Sequence, residues 1–241
     1  MTLKQAVREP LLNKFIAITN QNIEMLNILP KLLAEFIGTC FLVMIVVGSG
    51  IMAESLSSDQ LSILLANTIA TGAGLTALIW IFINISGAHF NPCVSLVMYL
   101  KKEMEIKEFI SFILFQFTGG LLGVILANTM FGLDSLQISE NYRGGSNIYL
   151  GEFIATFGLL ITILGVRKHN ISAVAPAVGL YISAGYWFTS STSFANPAVT
   201  LARGFTNTFT GIDPQFIIAF IVFQLLGAIM AMVFMKYLQE D

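Results

Sequence analysis

The chain has 241 residues, of which 56% are hydrophobic and 11% charged, and its formal net charge is -2. A soluble domain carries about 25% charged residues, so this composition excludes an ordinary water-soluble fold and places the chain in a lipid bilayer. The near-neutral balance also argues against a nucleic-acid partner, and the two cysteines, Cys40 and Cys93, both lie in apolar segments, against a disulfide framework.

Residues 1–30 are polar and mixed in charge, without the apolar core and small-residue cleavage site of a secretory signal peptide. They are expected to form a cytoplasmic N-terminal segment, either a tail or a surface helix. A bilayer-crossing helix needs about 20 predominantly apolar residues. Six runs are free of Asp, Glu, Lys and Arg: 36–53, 60–100, 109–133, 153–166, 170–202 and 214–235. Four suit one helix each, the 153–166 run starting near Ile148 and taking in Glu152. The runs 60–100 and 170–202 are too long for one helix and too short for two. Each reads as a full span, at about 61–83 and 171–189, followed by a half-span, at about 91–100 and 196–205.

These two long runs contain "SGAHFNPCVSL", from Ser86, and "TSFANPAVTLAR", from Thr192. Proline is tolerated in the first turn of a helix, where its missing N–H is not needed, and asparagine is a favoured N-cap. Asn91-Pro92 and Asn196-Pro197 therefore read as helix starts at membrane depth. Irregular backbone there is tolerated only where it is buried in protein or lines a watery cavity.

The chain also repeats. "AEFIGTCFLVMIVVGSG" (34–50) echoes "GEFIATFGLLITILGV" (151–166), and "FQFTGGLLGVI" (115–125) echoes "FQLLGAIMAMV" (223–233). Repeat one covers about 31–133 and repeat two about 148–238. Each holds three full spans, an odd number, so the halves insert in opposite senses, as in several transporters and channels. The half-helices then enter from opposite faces and meet near the midplane. Their N-termini concentrate positive potential, which suits a neutral hydrogen-bonding solute and repels cations. Lys4, Arg8, Lys14, Lys31, Lys101, Lys102, Lys107, Arg167, Lys168 and Lys236 all fall on one side, against Arg143 and Arg203 on the other. Both termini are therefore expected in the cytoplasm.

Glu35 and Glu152 occupy equivalent positions inside apolar helices, and an intramembrane carboxylate is by default a functional candidate. Two readings stand: a proton relay, or an acceptor for the irregular backbone of each re-entrant loop. The duplication favours the second, and glutamine at either place is then expected to retain flux with a modest loss of stability. His89 is either a structural hydrogen-bonder or a pH-responsive gate. Gln116 and Gln224 are expected to bond between helices, and Cys40 and Cys93 to be small core residues.

On "AEFIGT", "SGAHFNP", "GEFIATF" and "NPAVT", in that order, the chain resembles the major intrinsic protein family, the aquaporins and aquaglyceroporins, over about 31–238. The resemblance implies an all-α membrane protein with six transmembrane helices and two re-entrant half-helices in an inverted internal repeat. It also implies one pore per subunit and a homotetramer. The pore would run past Asn91, Pro92, Cys93, Asn196, Pro197 and Ala198, with Glu35, Glu152 and His89 supporting the loops.

Two departures from the family pattern stand out. Cys93 replaces a usual alanine, a mild packing change. Val199 stands where water- and glycerol-conducting members carry an arginine, and Thr200 where the latter carry an aspartate. Ungapped placement puts the remaining constriction positions on Thr71, Ala184 and Ser193, with Gly185 replacing Ala184 after a one-residue shift. Four small residues imply a wide constriction without a fixed cation. Arg203, one turn beyond Val199, either reaches the pore or anchors the half-helix end. The second motif resembles that of bacterial aquaporins associated with arsenic resistance.

The resulting expectation is a passive cell-membrane channel for water, glycerol-like polyols or undissociated arsenous acid, with the bilayer and its own copies as partners. The alternative is an inverted-repeat secondary active transporter, which would be expected to place more ionisable groups on its path. No nucleophile–base constellation points to an enzyme, and nothing in the sequence calls for a cofactor or a metal.

Overall fold

The computed structural model describes residues 3–239, with side chains from Ile28 onward. Helix α1 spans Leu3–Leu56, α2 Gln60–Phe82, α3 Pro92–Leu100, α4 Ile106–Met130, α5 Ser146–His169, α6 Val174–Phe188, α7 Pro197–Arg203 and α8 Ile217–Gln239. Short 3-10 turns, Ile171–Ala173 and Pro214–Phe216, lead into α6 and α8. No strand occurs among the described residues. Among the described residues, six segments are long and apolar enough to cross a membrane, the first being Ile28–Leu56. The protein is thus an integral multi-pass membrane protein.

The two long apolar runs divide as expected, and the reason is the same in both. Asn91 is extended (φ -154, ψ 119) and its side chain accepts from the Cys93 N–H, with Pro92 opening α3. Asn196 is extended in the same way (φ -157, ψ 113) and accepts from the Ala198 and Val199 N–H groups, with Pro197 opening α7. Residues 3–30 are helical and continuous with α1 rather than set apart from it. The side chains of 1–27 lie outside the described residues.

The inverted repeat extends to the packing. In one half α1 packs on α4 and α2; in the other α5 packs on α8 and α6; α2 and α6 join the halves. Gly119 of α4 faces the Phe36 carbonyl of α1, and Gly227 of α8 faces the Phe153 carbonyl of α5, so closely that a methyl group at either glycine would overlap that oxygen. Gly119→Ala or Gly227→Ala should therefore force the helices apart, with a loss of about 1–3 kcal/mol typical of overpacking. An unchanged thermal unfolding temperature in detergent would contradict the close approach.

At the end opposite the chain termini, segment 131–145 lies on 204–213. Gln137 and Ser139 N–H donate to the Phe205 and Gly204 carbonyls at 3.2 and 3.1 Å, and Asp213 N–H donates to the Asn141 carbonyl at 2.9 Å. Arg143 Nε and Nη2 donate to the Gly211 and Phe209 carbonyls at 2.7 and 3.0 Å. Burial pushes the Arg143 guanidinium down to about 10, so it stays charged at neutral pH. This collar fixes the C-terminal end of α7, where Arg203 sits.

Candidate functional site

Between α2 and α3, Gly87, Ala88 and Phe90 take φ of 88, 51 and 48°; between α6 and α7, Thr192, Ser193 and Ala195 take 63, 52 and 49°. Apart from Gly87, such left-handed residues cost about 1–3 kcal/mol each unless their surroundings hold them. The two buried glutamates provide that hold. Glu35 Oε1 accepts from Ser86 Oγ (2.6 Å) and the His89 N–H (2.9 Å), and Oε2 from the Phe90 N–H (2.7 Å) and Gln116 Nε2 (2.7 Å). Glu152 accepts from the Phe194 and Ala195 N–H groups (both 2.9 Å) and from Gln224 Nε2 (2.5 Å). Each glutamine amide also reaches a hydroxyl on its half-helix: Gln116 to Ser95 at 2.9 Å, Gln224 to Thr200 at 2.8 Å. Ser95 and Thr200 both stand four residues after their asparagine, a signal present in the repeat but not read from it.

Held this way, the loops bring the two asparagines together across the repeat. Asn91 Nδ2 donates to the Ala195 carbonyl at 2.7 Å, and Asn196 Nδ2 donates to the Phe90 carbonyl at 2.8 Å. Each side-chain oxygen is already committed to capping its own half-helix. An amide nitrogen carries two hydrogens, so each asparagine keeps one further donor. Both residues line a single elongated cavity of about 170 Å³. Pro92, Cys93, Pro197 and Ala198 form the first turns of the half-helices and are buried, but none of them is on the cavity wall.

The cavity runs from Arg167 and Ile171, near the end of α5, past the asparagines to Arg203 at the end of α7. Thr71, Ser193 and Val199 line it; the Ser193 hydroxyl is buried without a hydrogen-bond partner among the described residues. Ala184 does not line it. On α6 the wall residues are Val174, Val178, Ile182 and Tyr186, spaced four apart, and Ala184 falls off that stripe onto the exposed outer face. Gly185, the position reached by a one-residue shift, is not among the wall residues either. Gly185 is buried for a different reason: a methyl group there would meet the Ser193 side chain at 2.6–2.8 Å.

The expectation of four small residues and no cation is corrected accordingly. Position 199 carries no arginine, but Tyr186 and Arg203 both line the cavity. The Tyr186 hydroxyl lies 3.1 Å from that of Thr71. Arg203 is buried at 3% exposure, its guanidinium 3.3 Å from the Phe194 ring centroid, and its Nε donates to the Thr210 carbonyl. It both anchors the half-helix end and faces the path, so the two readings of Arg203 were not alternatives. His89 also lines the cavity, with Nδ1 3.0 Å from Ser95 Oγ and its ring edge-on to Phe112 at 5.4 Å. Tyr186 and Arg167 were missed, although the spacing 174, 178, 182, 186 was visible in the sequence.

A largely apolar cavity lined by α1, α2, α5, α6 and the two half-helices, with the half-helix N-termini and their asparagine amides at its centre, defines a passive transmembrane channel. The family profile described as Major intrinsic protein matches residues 22–173. Aquaglyceroporin AqpS of Rhizobium meliloti (strain 1021) is 49% identical over 211 residues, 87% of this chain and 90% of that protein. Aquaporin C of Dictyostelium discoideum is 32% identical over 187 residues, 73% of this chain and 67% of that protein. The X-ray structure of the aquaglyceroporin from Plasmodium falciparum superposes with a TM-score of 0.70 at 20% identity, over 86% of this chain and 94% of that one, a likeness of fold. The chain belongs to the major intrinsic protein family.

Proposed function

We propose that the path conducts water and small uncharged polar solutes, with glycerol-like polyols and undissociated arsenous acid among them, and without catalysis, cofactor or metal. The observation that carries this is the crossed pair of asparagines, each with one amide donor left for the cavity. A neutral hydroxyl-bearing solute accepts from these donors, while a cation meets the positive ends of two half-helices. The unpartnered Ser193 hydroxyl and the short Val199 leave room and a hydrogen-bonding group further along. The 49% identity to a protein named an aquaglyceroporin supports solutes larger than water. A carrier mechanism lacks support, because the membrane carboxylates Glu35 and Glu152 serve as loop acceptors.

In this reading the channel sits in the cell membrane as a homotetramer, the arrangement family membership favours. Both termini face the cytoplasm, on the side that collects ten of the twelve basic residues. Stopped-flow swelling of proteoliposomes with water, glycerol, urea and trivalent arsenous acid tests the solute range.

Asn91→Asp and Asn196→Asp test the site. A carboxylate still caps the half-helix, but its second oxygen replaces the donor that now reaches the Ala195 or Phe90 carbonyl. Two acceptors then face each other, and a negative charge stands at the centre of the path. Glycerol flux per assembled channel should fall at least about tenfold, the order expected when a buried hydrogen bond is replaced by an unpaired acceptor, and cation leak should rise. Folded variants that conduct like the wild type would show that solutes do not pass these residues.

A further inference from the structure

Among the described residues, the arginines on the cavity wall are Arg167 and Arg203, and they stand at its opposite ends. Arg203 is the seventh residue after Asn196, and its counterpart in repeat one, seven after Asn91, is Met98, which also lines the cavity. Arg167 fills the charge missing there. Its Nη1 lies 2.9 Å from Met98 Sδ, and its Nη2 donates to both oxygens of Glu103, at 2.5 and 2.6 Å. Glu103 belongs to the turn between α3 and α4 in repeat one, whereas Arg167 ends α5 in repeat two. A guanidinium is thus delivered to the equivalent place by the other half of the molecule. Glu103 lines the open mouth at this end together with Lys101 and Lys168, and Arg167 is the charged member of that group that also reaches the cavity wall.

We infer that this channel carries an arginine barrier at each end of its path, Arg203 at one mouth and Arg167, held by Glu103, at the other, and that the two together exclude cations where Val199 leaves no arginine. A cation entering an apolar tube sheds hydration, so a fixed positive charge at either mouth raises its energy more than the same charge would in water. A neutral solute meets only N–H donors. An ion must cross both ends, and its flux is set by the higher barrier. Either arginine alone therefore suffices, and the two are redundant.

That redundancy is the test. Arg167→Met, Arg203→Met and the double variant are reconstituted at equal amounts of assembled protein, and potassium leak is read alongside glycerol swelling. Because Arg203 also holds the Thr210 carbonyl, glutamine replaces methionine at 203 if the methionine variant does not assemble. Each single variant should leak within about twofold of the wild type and the double at least about tenfold more, the scale on which fixed charge alters ion entry. A double lysine variant, which keeps both charges, should stay tight. Leak from a single variant equal to that of the double, no leak from the double, or leak from the lysine pair would each overturn the inference. It rests on the channel reading, which glycerol swelling checks separately: a wild type that does not conduct sinks that reading, whereas conducting vesicles with the wrong leak pattern sink only the two-barrier inference.

Discussion

Glu35→Gln and Glu152→Gln should each destabilise the fold severely while leaving flux through correctly assembled channels near wild type. From sequence the expected loss is modest, since glutamine keeps an acceptor oxygen. The geometry makes it larger. Glu35 takes four donors and Glu152 three, spread over both carboxylate oxygens. A glutamine NH2 must face donors on one side, leaving buried N–H groups unpaired next to left-handed backbone. Hydrogen bonds to a charged group contribute about 1.5–3 kcal/mol each, and leaving a buried donor unpaired costs about 1–3 kcal/mol. At about 2–4 °C per kcal/mol for a chain of this size, the unfolding temperature in detergent should fall by roughly 10 °C. The same experiment separates support from proton relay. A relay reading requires that imposed proton gradients drive solute uptake in the wild type and not in the variants. Uptake indifferent to the gradient in all three leaves only the loop-support role.

What was legible in the sequence follows from how each constraint is written in it. Span lengths are compositional, and the half-helix starts are local, since Asn-Pro combines a cap with a residue that fits the first turn. The inverted repeat appears because Glu35/Glu152 and Gln116/Gln224 do the same work twice. The wall of the cavity was less legible, because it depends on how α6 is rotated. Ungapped placement landed on Ala184, while the four-residue stripe ending at Tyr186 faces the path. The cross-repeat bonds of Asn91 and Asn196, and the delivery of Arg167 to Met98, join residues 69 or more positions apart. No local pattern announces them.

Val199→Arg should reduce permeation of glycerol-sized solutes by at least about tenfold and water much less. Valine at this place is short, apolar and restricted to one rotamer on a helix, and it lines the cavity between Asn196 and Arg203. Arginine adds a long arm with five donors and a permanent charge. The wall opposite offers no carboxylate to receive it: Thr71 and Tyr186 are already engaged with each other at 3.1 Å, and Arg203 stands four residues on, on the same helical face, as a like charge. The new guanidinium therefore extends into the path instead of folding against it. A solute of three carbons must pass broadside to it and displace it, whereas water passes in single file beside it and can accept its N–H groups. Water flux per channel should stay within about threefold of wild type, because a lost passage width that excludes a polyol still admits the smaller molecule. If Val199→Arg instead leaves glycerol flux unchanged while Arg203→Ala opens the path to larger solutes, the narrowest point lies at Arg203, one turn further toward the mouth, and residue 199 sits in a section already wider than the solutes it carries.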